Sequence, residues 1–244
     1  MTERPSKGRD DVPQDIRWEK CLAPASPLVR GYDQVVWMDA DILINPEAPD
    51  VAAEVPLEKI GGVDEYATPS PEERRVANRL MEAHWRSRGH QVQTCQGARH
   101  YYRYCDLPGD YDQVLQGGVM VYSPDRHTDL FLEVYDIYAR VSDDYPNRNG
   151  EMPVFSYECL LRDLVHWLDY RYNMLWIYAL QLERPHLFEK PAGWRRRLQK
   201  WRLYCPEREK RRFLRRTLER NHFLHFAAAV HDMEYADPRF RLRG

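Results

Sequence analysis

The stretch that most restricts what this chain can fold into is Tyr32-Asp33-Gln34-Val35-Val36-Trp37-Met38-Asp39-Ala40-Asp41-Ile42-Leu43-Ile44-Asn45-Pro46. Four consecutive apolar residues, Val35 to Met38, are rich in β-branched and aromatic types and read as a strand buried on both faces. Two carboxylates follow at spacing i, i+2, and Asn45-Pro46 marks a turn soon after. With extended backbone through Ala40, Asp39 and Asp41 point to one side and Ala40 to the other. An arbitrary Asp-x-Asp most often ends a strand and faces water. Here the apolar run makes an uncompensated carboxylate pair costly, so Mg2+, Mn2+ or some other cation is expected beside it.

With 244 residues the chain can bury one sizeable core. Its mean hydropathy of −0.73 and 30% charged residues describe a soluble protein. Sixteen tyrosines and seven tryptophans favour a ring-lined cleft over a disordered chain. The polar N-terminus has no apolar signal core, and no apolar run approaches the roughly 18–20 residues that span a bilayer. A cytoplasmic location is expected. Five cysteines are scattered without a Cys-x-x-Cys pair, so reduced thiols are expected rather than a zinc ribbon or a disulfide framework.

In chain order, residues 1–14 read as a disordered end and 15–236 as the folded domain. A short helix is expected from Asp15 to Leu22 and a strand near Lys59–Tyr66. Ser70-Pro71-Glu72-Glu73 has the capping-box pattern, opening a helix that runs to about Arg88 and stops at Gly89. Residues 90–113 lack periodicity and read as a long loop. Leu115–Tyr122 reads as a second buried strand whose Gly117-Gly118 pair implies close approach of backbone or ligand. Helices are expected at Thr128–Val141 and Val154–Trp167, an extended segment at Leu168–Trp176, and two basic helices broken at Pro206. Residues 190–220 carry 13 Lys/Arg against 3 Asp/Glu. The short apolar stretch Asn221–Asp232 holds three histidines.

Several of these segments together resemble the A-type glycosyltransferases, those related to glycosyltransferase family 8. The stretch through Asp39-Ala40-Asp41 resembles that family's Asp-x-Asp strand, and Gln116-Gly117-Gly118-Val119 its Asn-Ala-Gly-Val strand. Tyr172-Asn173 resembles its aromatic-Asn pair, and His225-Phe226 through His231 its closing His-x-x-Gly-x-x-Lys. The resemblance spans residues 17 to 232. It implies an α/β, mixed-sheet GT-A-like fold and transfer of a sugar from a nucleotide diphosphate sugar to an acceptor. A Mn2+ or Mg2+ ion would be held by Asp39, Asp41 and His225, with Gln116, Gly117, Gly118 and His231 toward the donor. Gln116, Ala228 and His231 stand where the family has Asn, Gly and Lys. The Asp-Gln-Asp element has only Tyr157-Glu158-Cys159 as its nearest match. Such folds place two βα units before the Asp-x-Asp strand, whereas 38 residues precede Asp39. The nucleotide half is therefore expected to be missing, carried on a longer chain, or supplied by a partner.

Each assignment has a plainer counterpart. His225 can be a core histidine, and His231 either a phosphate contact when protonated or a surface residue. Glu151 and Glu158 are the acidic candidates near the acceptor, as base or sugar-hydroxyl partner, and either can be a solvated helix residue. Asp64, Asp110 and Asp112 more often serve loops and turns. The 190–220 segment is a pair of solvated helices, a contact with an anionic membrane face for a lipid-linked acceptor, or a nucleic-acid binder. Nothing else in the chain fits nucleic acid. The competing overall reading is a catalytically inactive binding module of the same fold.

Overall fold

The computed structural model describes residues 16–87, 89, 97–108, 110–139, 150–188, 193, 197 and 205–236. The expected disordered end at 1–14 and nearly all of 189–204 lie outside the described residues. Two mixed sheets organise the rest. The first has the order β1 (Val35–Met38), β4 (Leu115–Tyr122), β3 (Ile60–Asp64), β5 (Val165–Trp167); only the β3–β5 pair is parallel. The second has the order β2 (Ile42–Ile44), β7 (Phe223–His225), β6 (Met174–Leu175), with β6 and β7 parallel. The mixed α/β arrangement expected from the sequence is present.

Period-two alternation explains the apolar runs in the first sheet. Met120 and Tyr122 pack with Phe131 and Val134 of helix α4 (Pro124–Tyr138) and Phe155 of α5 (Met152–Leu161). Val119 and Val121 face Val51, Val63 and Tyr172 on the other side. Both faces are covered, so every position of β4 is buried. Strand β1 alternates in the same way, Val35 and Trp37 to one core and Val36 and Met38 to the other. It nevertheless lies at the sheet edge and is only half-buried along its length. The expectation of full burial there is corrected: two apolar faces do not make a central strand.

Other boundaries move for local reasons. Helix α2 (Pro71–Ser87) starts as its capping box requires: Ser70 Oγ donates to Glu73 Oε2 at 2.7 Å and accepts from Glu73 N at 3.2 Å. Helix α4 starts at Pro124, four residues before its expected start, with proline in its first turn. The expected helix over Val154–Trp167 is two elements. Helix α5 ends at Leu161, Asp163 takes φ +53°, and the chain re-emerges as β5 beside β3. The extended segment expected at Leu168–Trp176 is a 3-10 turn, Tyr170–Asn173, followed by the two residues of β6. Trp176 then opens helix α6 (Trp176–Glu183), and the short helix α7 (Pro185–Phe188) follows it. The expected loop at 90–113 contains helix α3 (Ala98–Tyr104), whose Tyr101 and Tyr102 are buried among rings. Its aromatic residues bury it against α5 without the spacing of a regular amphipathic stripe. Pro206 opens helix α8 (Pro206–Arg220), and its Phe213, Leu214 and Leu218 pack with Leu43, Trp176 and Leu224 over the second sheet. The short helix near the N-terminus is a 3-10 turn leading into α1 (Glu19–Leu22).

Candidate functional site

Three chain segments meet where the two sheets adjoin. The backbone of β1 runs out through Asp39, whose N–H donates to Gly118 O at 2.9 Å. Ala40-Asp41 turns into β2, where Ile42 pairs with His225, and Phe226 N donates to Asp41 O at 2.8 Å. The two aspartates are thus tied to β4 and β7 by main-chain hydrogen bonds on either side of a turn. The exposed Ala40 between them leaves both carboxylates facing the same partner.

That partner is His225. Its Nε2 lies 3.2 Å from Asp41 Oδ1 and 3.8 Å from Asp39 Oδ2. One ligand atom from each of the three residues falls within 4.8 Å of the others. The imidazole is buried, and its other nitrogen, Nδ1, lies 2.9 Å from Asn173 Oδ1. A network of amides decides the tautomer. Gln116 Oε1 accepts from Gly118 N at 2.8 Å and from Asn173 Nδ2, which turns Asn173 Oδ1 toward the ring. Nδ1 therefore donates its proton to Asn173. Gln116 Nε2, 3.5 Å from the same nitrogen, is then a neighbour and not a hydrogen-bond partner. Nε2 is thus the nitrogen aimed at the aspartates, and with a cation in place of its proton it would offer its lone pair, the arrangement metal-ligating histidines adopt.

The Gly117-Gly118 pair has its reason here. Between Gly62 and Asp64 the register of β3 on β4 shifts from Met120 to Leu115, so β4 bulges at Gln116–Gly118. A Cβ on Gly118 would sit 2.5 Å from His225 Cε1 and 2.6 Å from its Nδ1. No larger residue leaves room for the ring.

Lys20, on α1, is the residue that sequence reasoning missed. It is 8% exposed and its Nζ reaches Glu151 Oε1 at 2.8 Å, Asp39 Oδ1 at 3.4 Å and Gly117 O at 3.2 Å. Burial opposes the ammonium charge, yet Glu151 and Asp39 outweigh it and hold the lysine above its ordinary value. Only its place between buried Trp18 and Cys21 hinted that the side chain turns inward. Trp37 Nε1 also donates to Asp39 Oδ1, at 3.1 Å. A proton on His225 Nε2 donates to the Asp41 carboxylate and holds that carboxyl below the usual range despite partial burial; a cation would take that proton's place.

The remaining candidates separate. Glu151, at the start of α5, is buried and joined to the site through Lys20. Glu158, two turns along the same helix, accepts from Tyr138 Oη at 2.7 Å and pairs with Arg162. His231 is exposed, with Nε2 3.5 Å from Asp232 Oδ1. Asp64 caps the turn after β3, accepting from Tyr66 N at 2.9 Å and Val114 N at 3.2 Å. Asp112 pairs with Arg99, and Asp110 lies 3.8 Å from Arg103. Ala228 takes φ +59°, the left-handed conformation for which glycine is suited.

No protein-family model matches the chain, and no curated protein matches it. Among solved structures it is similar to the apo form of the bifunctional glycosyltransferase WbbM at 13% identity and a TM-score of 0.42. That match covers 93% of this chain and 37% of the other. It is also similar to apo mouse xyloside xylosyltransferase 1 at 15% identity and a TM-score of 0.36, over 74% of this chain and 62% of that one. The chain thus spans less than two thirds of either protein. Both are glycosyltransferases by description, the class the sequence resembles, and at these scores neither adds weight to a shared activity.

Proposed function

We propose that this chain transfers a sugar from a nucleotide diphosphate sugar to an acceptor, with a divalent cation held by Asp39, Asp41 and His225. The observation that carries this reading is the convergence of two carboxylates and a tautomer-fixed imidazole within 4.8 Å. Carboxylate oxygens suit Mg2+ and Mn2+, and the imidazole tilts the set toward Mn2+. When bound, such an ion supplies Lewis-acid stabilisation of a diphosphate leaving group.

The chain's own groups do the rest. Asn173 holds the proton on Nδ1, which keeps Nε2 free as a ligand. The glycines at Gln116–Gly118 leave room for the His225 ring and for Lys20 and Glu151, which lets the three segments of the site close on one another. Lys20 joins the Glu151 carboxylate to Asp39, which supports Glu151 over Glu158, paired with Tyr138 and Arg162, as the acid of this site. His231, exposed and flanked by Asp232, is available to a phosphate only in its protonated form.

A second reading, a metal-free binding module of the same fold, is favoured by Lys20, which already places a positive charge on Asp39. Calorimetric titration with Mn2+, followed by donor hydrolysis assays on the wild type, Asp39→Asn and Asp41→Asn, separates the two. The transferase reading expects Mn2+ binding and metal-dependent hydrolysis that both variants lose. Equal, metal-independent rates in all three proteins overturn it, and tight Mn2+ binding without turnover of any nucleotide sugar favours the module.

A further inference from the structure

A cavity of about 430 Å3 opens between β2, α8 and the 3-10 turn Val230–Tyr235, away from the residues of the aspartate–histidine site. That volume lies within the range of small-ligand sites. Its walls are aliphatic: Ile42 and Ile44 from the strand, Leu214 and Leu218 from the helix. Strand β2 is the edge of its sheet, and Ile44 is 53% exposed. At the rim stand Arg211 and Arg215, one helical turn apart on the same side of α8, both exposed. Neither forms an ion pair with a described residue. Of the other cations on the helix, Lys210 Nζ binds Asp232 Oδ1 at 2.8 Å and Arg220 reaches Glu183 Oε1 at 2.8 Å. Arg208, Arg212 and Arg216 likewise form no ion pair with a described residue, but they do not line the cavity.

We propose that this cavity takes the aliphatic chain of an anionic membrane lipid, with the lipid phosphate on Arg211 and Arg215. An apolar slot with two uncompensated guanidinium groups at its edge is the complement of a molecule greasy at one end and anionic at the other. The competing occupants fit less well. A second copy related by a two-fold axis would bring the two arginine pairs together with their charges unbalanced. The sequence that follows Ala236, Asp-Pro-Arg-Phe-Arg-Leu-Arg-Gly, carries three arginines against one aspartate and would add like charge. A free phosphate leaves the aliphatic walls unmatched. Ile42 directly follows Asp41, so a carrier lipid held here lies along the strand that leaves the candidate metal site. Lipid binding requires neither donor nor metal, and it stands or falls apart from the proposed transfer reaction.

The test titrates the full chain by calorimetry with dodecyl phosphate below its micelle concentration, with inorganic phosphate and dodecyl maltoside as the other arms. Vesicles of phosphatidylcholine with and without phosphatidylglycerol follow. Dodecyl phosphate is expected to bind at least tenfold more tightly than either comparison probe. Arg211→Gln/Arg215→Gln should weaken it roughly 30-fold, from two surface charges facing one anion. Ile44→Gln, at an exposed position that folding tolerates, should weaken it several-fold with the arginines intact. Arg208→Gln/Arg212→Gln removes the same charge from the same helix outside the cavity and should leave dodecyl phosphate binding unchanged. The wild type should sediment with phosphatidylglycerol vesicles and not with phosphatidylcholine alone. Equal binding of inorganic phosphate, wild-type affinity in the cavity variants, or an equal loss in the control pair overturns the proposal. So does dimerisation that the cavity variants abolish.

Discussion

Replacing Gly118 by alanine tests the geometry of the site at its tightest point. The added methyl would meet His225 Cε1 at 2.5 Å, Nδ1 at 2.6 Å and Gln116 Oε1 at 2.9 Å, where ordinary contact begins at 3.4 Å. The ring must therefore move by about 1 Å, since carbon contacts are repulsive well inside their optimum of about 3.5–4 Å. It has nowhere easy to go, because Asn173 holds Nδ1 and Leu224 and Phe226 on either side of it are fully buried. Overpacking of this kind costs about 1–3 kcal/mol. Displacing the imidazole should also lower Mn2+ affinity by about 10–100-fold, the usual effect of disturbing the groups that orient a ligand. Gly117→Ala is the internal control. Its methyl would meet Lys20 Nζ and Glu151 Oε1 at 3.2 Å and no atom of the His225 ring, so it should cost about 1 kcal/mol, the low end of overpacking, and leave the imidazole in place. Urea unfolding gives the stability difference and calorimetry the metal affinity. If both variants match the wild type in both measurements, the ring is not confined as described and the account of the glycine pair is wrong.

Three further changes probe the same region. Asn173→Leu removes the acceptor for Nδ1 in a buried site, which should cost about 1–3 kcal/mol in urea unfolding and weaken Mn2+ about tenfold; an unchanged affinity refutes the tautomer assignment. Lys20→Met leaves Glu151 buried without its cation and should destabilise by about 3–5 kcal/mol near neutral pH, with Lys20→Met/Glu151→Gln recovering much of the loss. Because the folded-state pKa of Lys20 is raised, its stabilisation is complete below the unfolded value of 10.5 and disappears as pH rises through the folded value. Thermal melts of wild type and variant should accordingly converge only in strong alkali on that side, and a constant difference across the range would count against the ion pair. Ala228→Gly relieves a left-handed alanine worth about 1–2 kcal/mol but adds about 0.5–1 kcal/mol of unfolded-state freedom, so a small gain in melting temperature is expected. A fall would mean that the alanine methyl packs usefully.

Much of this protein was legible along the chain, and the legible parts share a property: the residues responsible are neighbours in sequence. The capping box Ser70–Glu73 starts α2 because donor and acceptor are three residues apart. Strand β4 follows from a run that alternates between two cores, and the pairing of Asp39 with Asp41 needs only the short turn at Ala40. Helix α5 was misjudged at its end because Asp163 can leave the helix at positive φ, which no apolar periodicity announces.

What the order of residues left open is who stands opposite whom. That β1 is an edge strand depends on which strand pairs with it, and that is set by the whole sheet. Lys20 reaches Asp39, Glu151 and Gly117 only because α1 packs against α4 while β4 bulges beneath it. Arg211 and Arg215 matter as a pair at a cavity only once α8 lies beside β2. Propensity, capping and alternation act over a few residues and can be read locally. Charge compensation and cavity shape arise from contacts between segments up to about 200 residues apart, such as His225 against Asp39, and only the folded packing creates them.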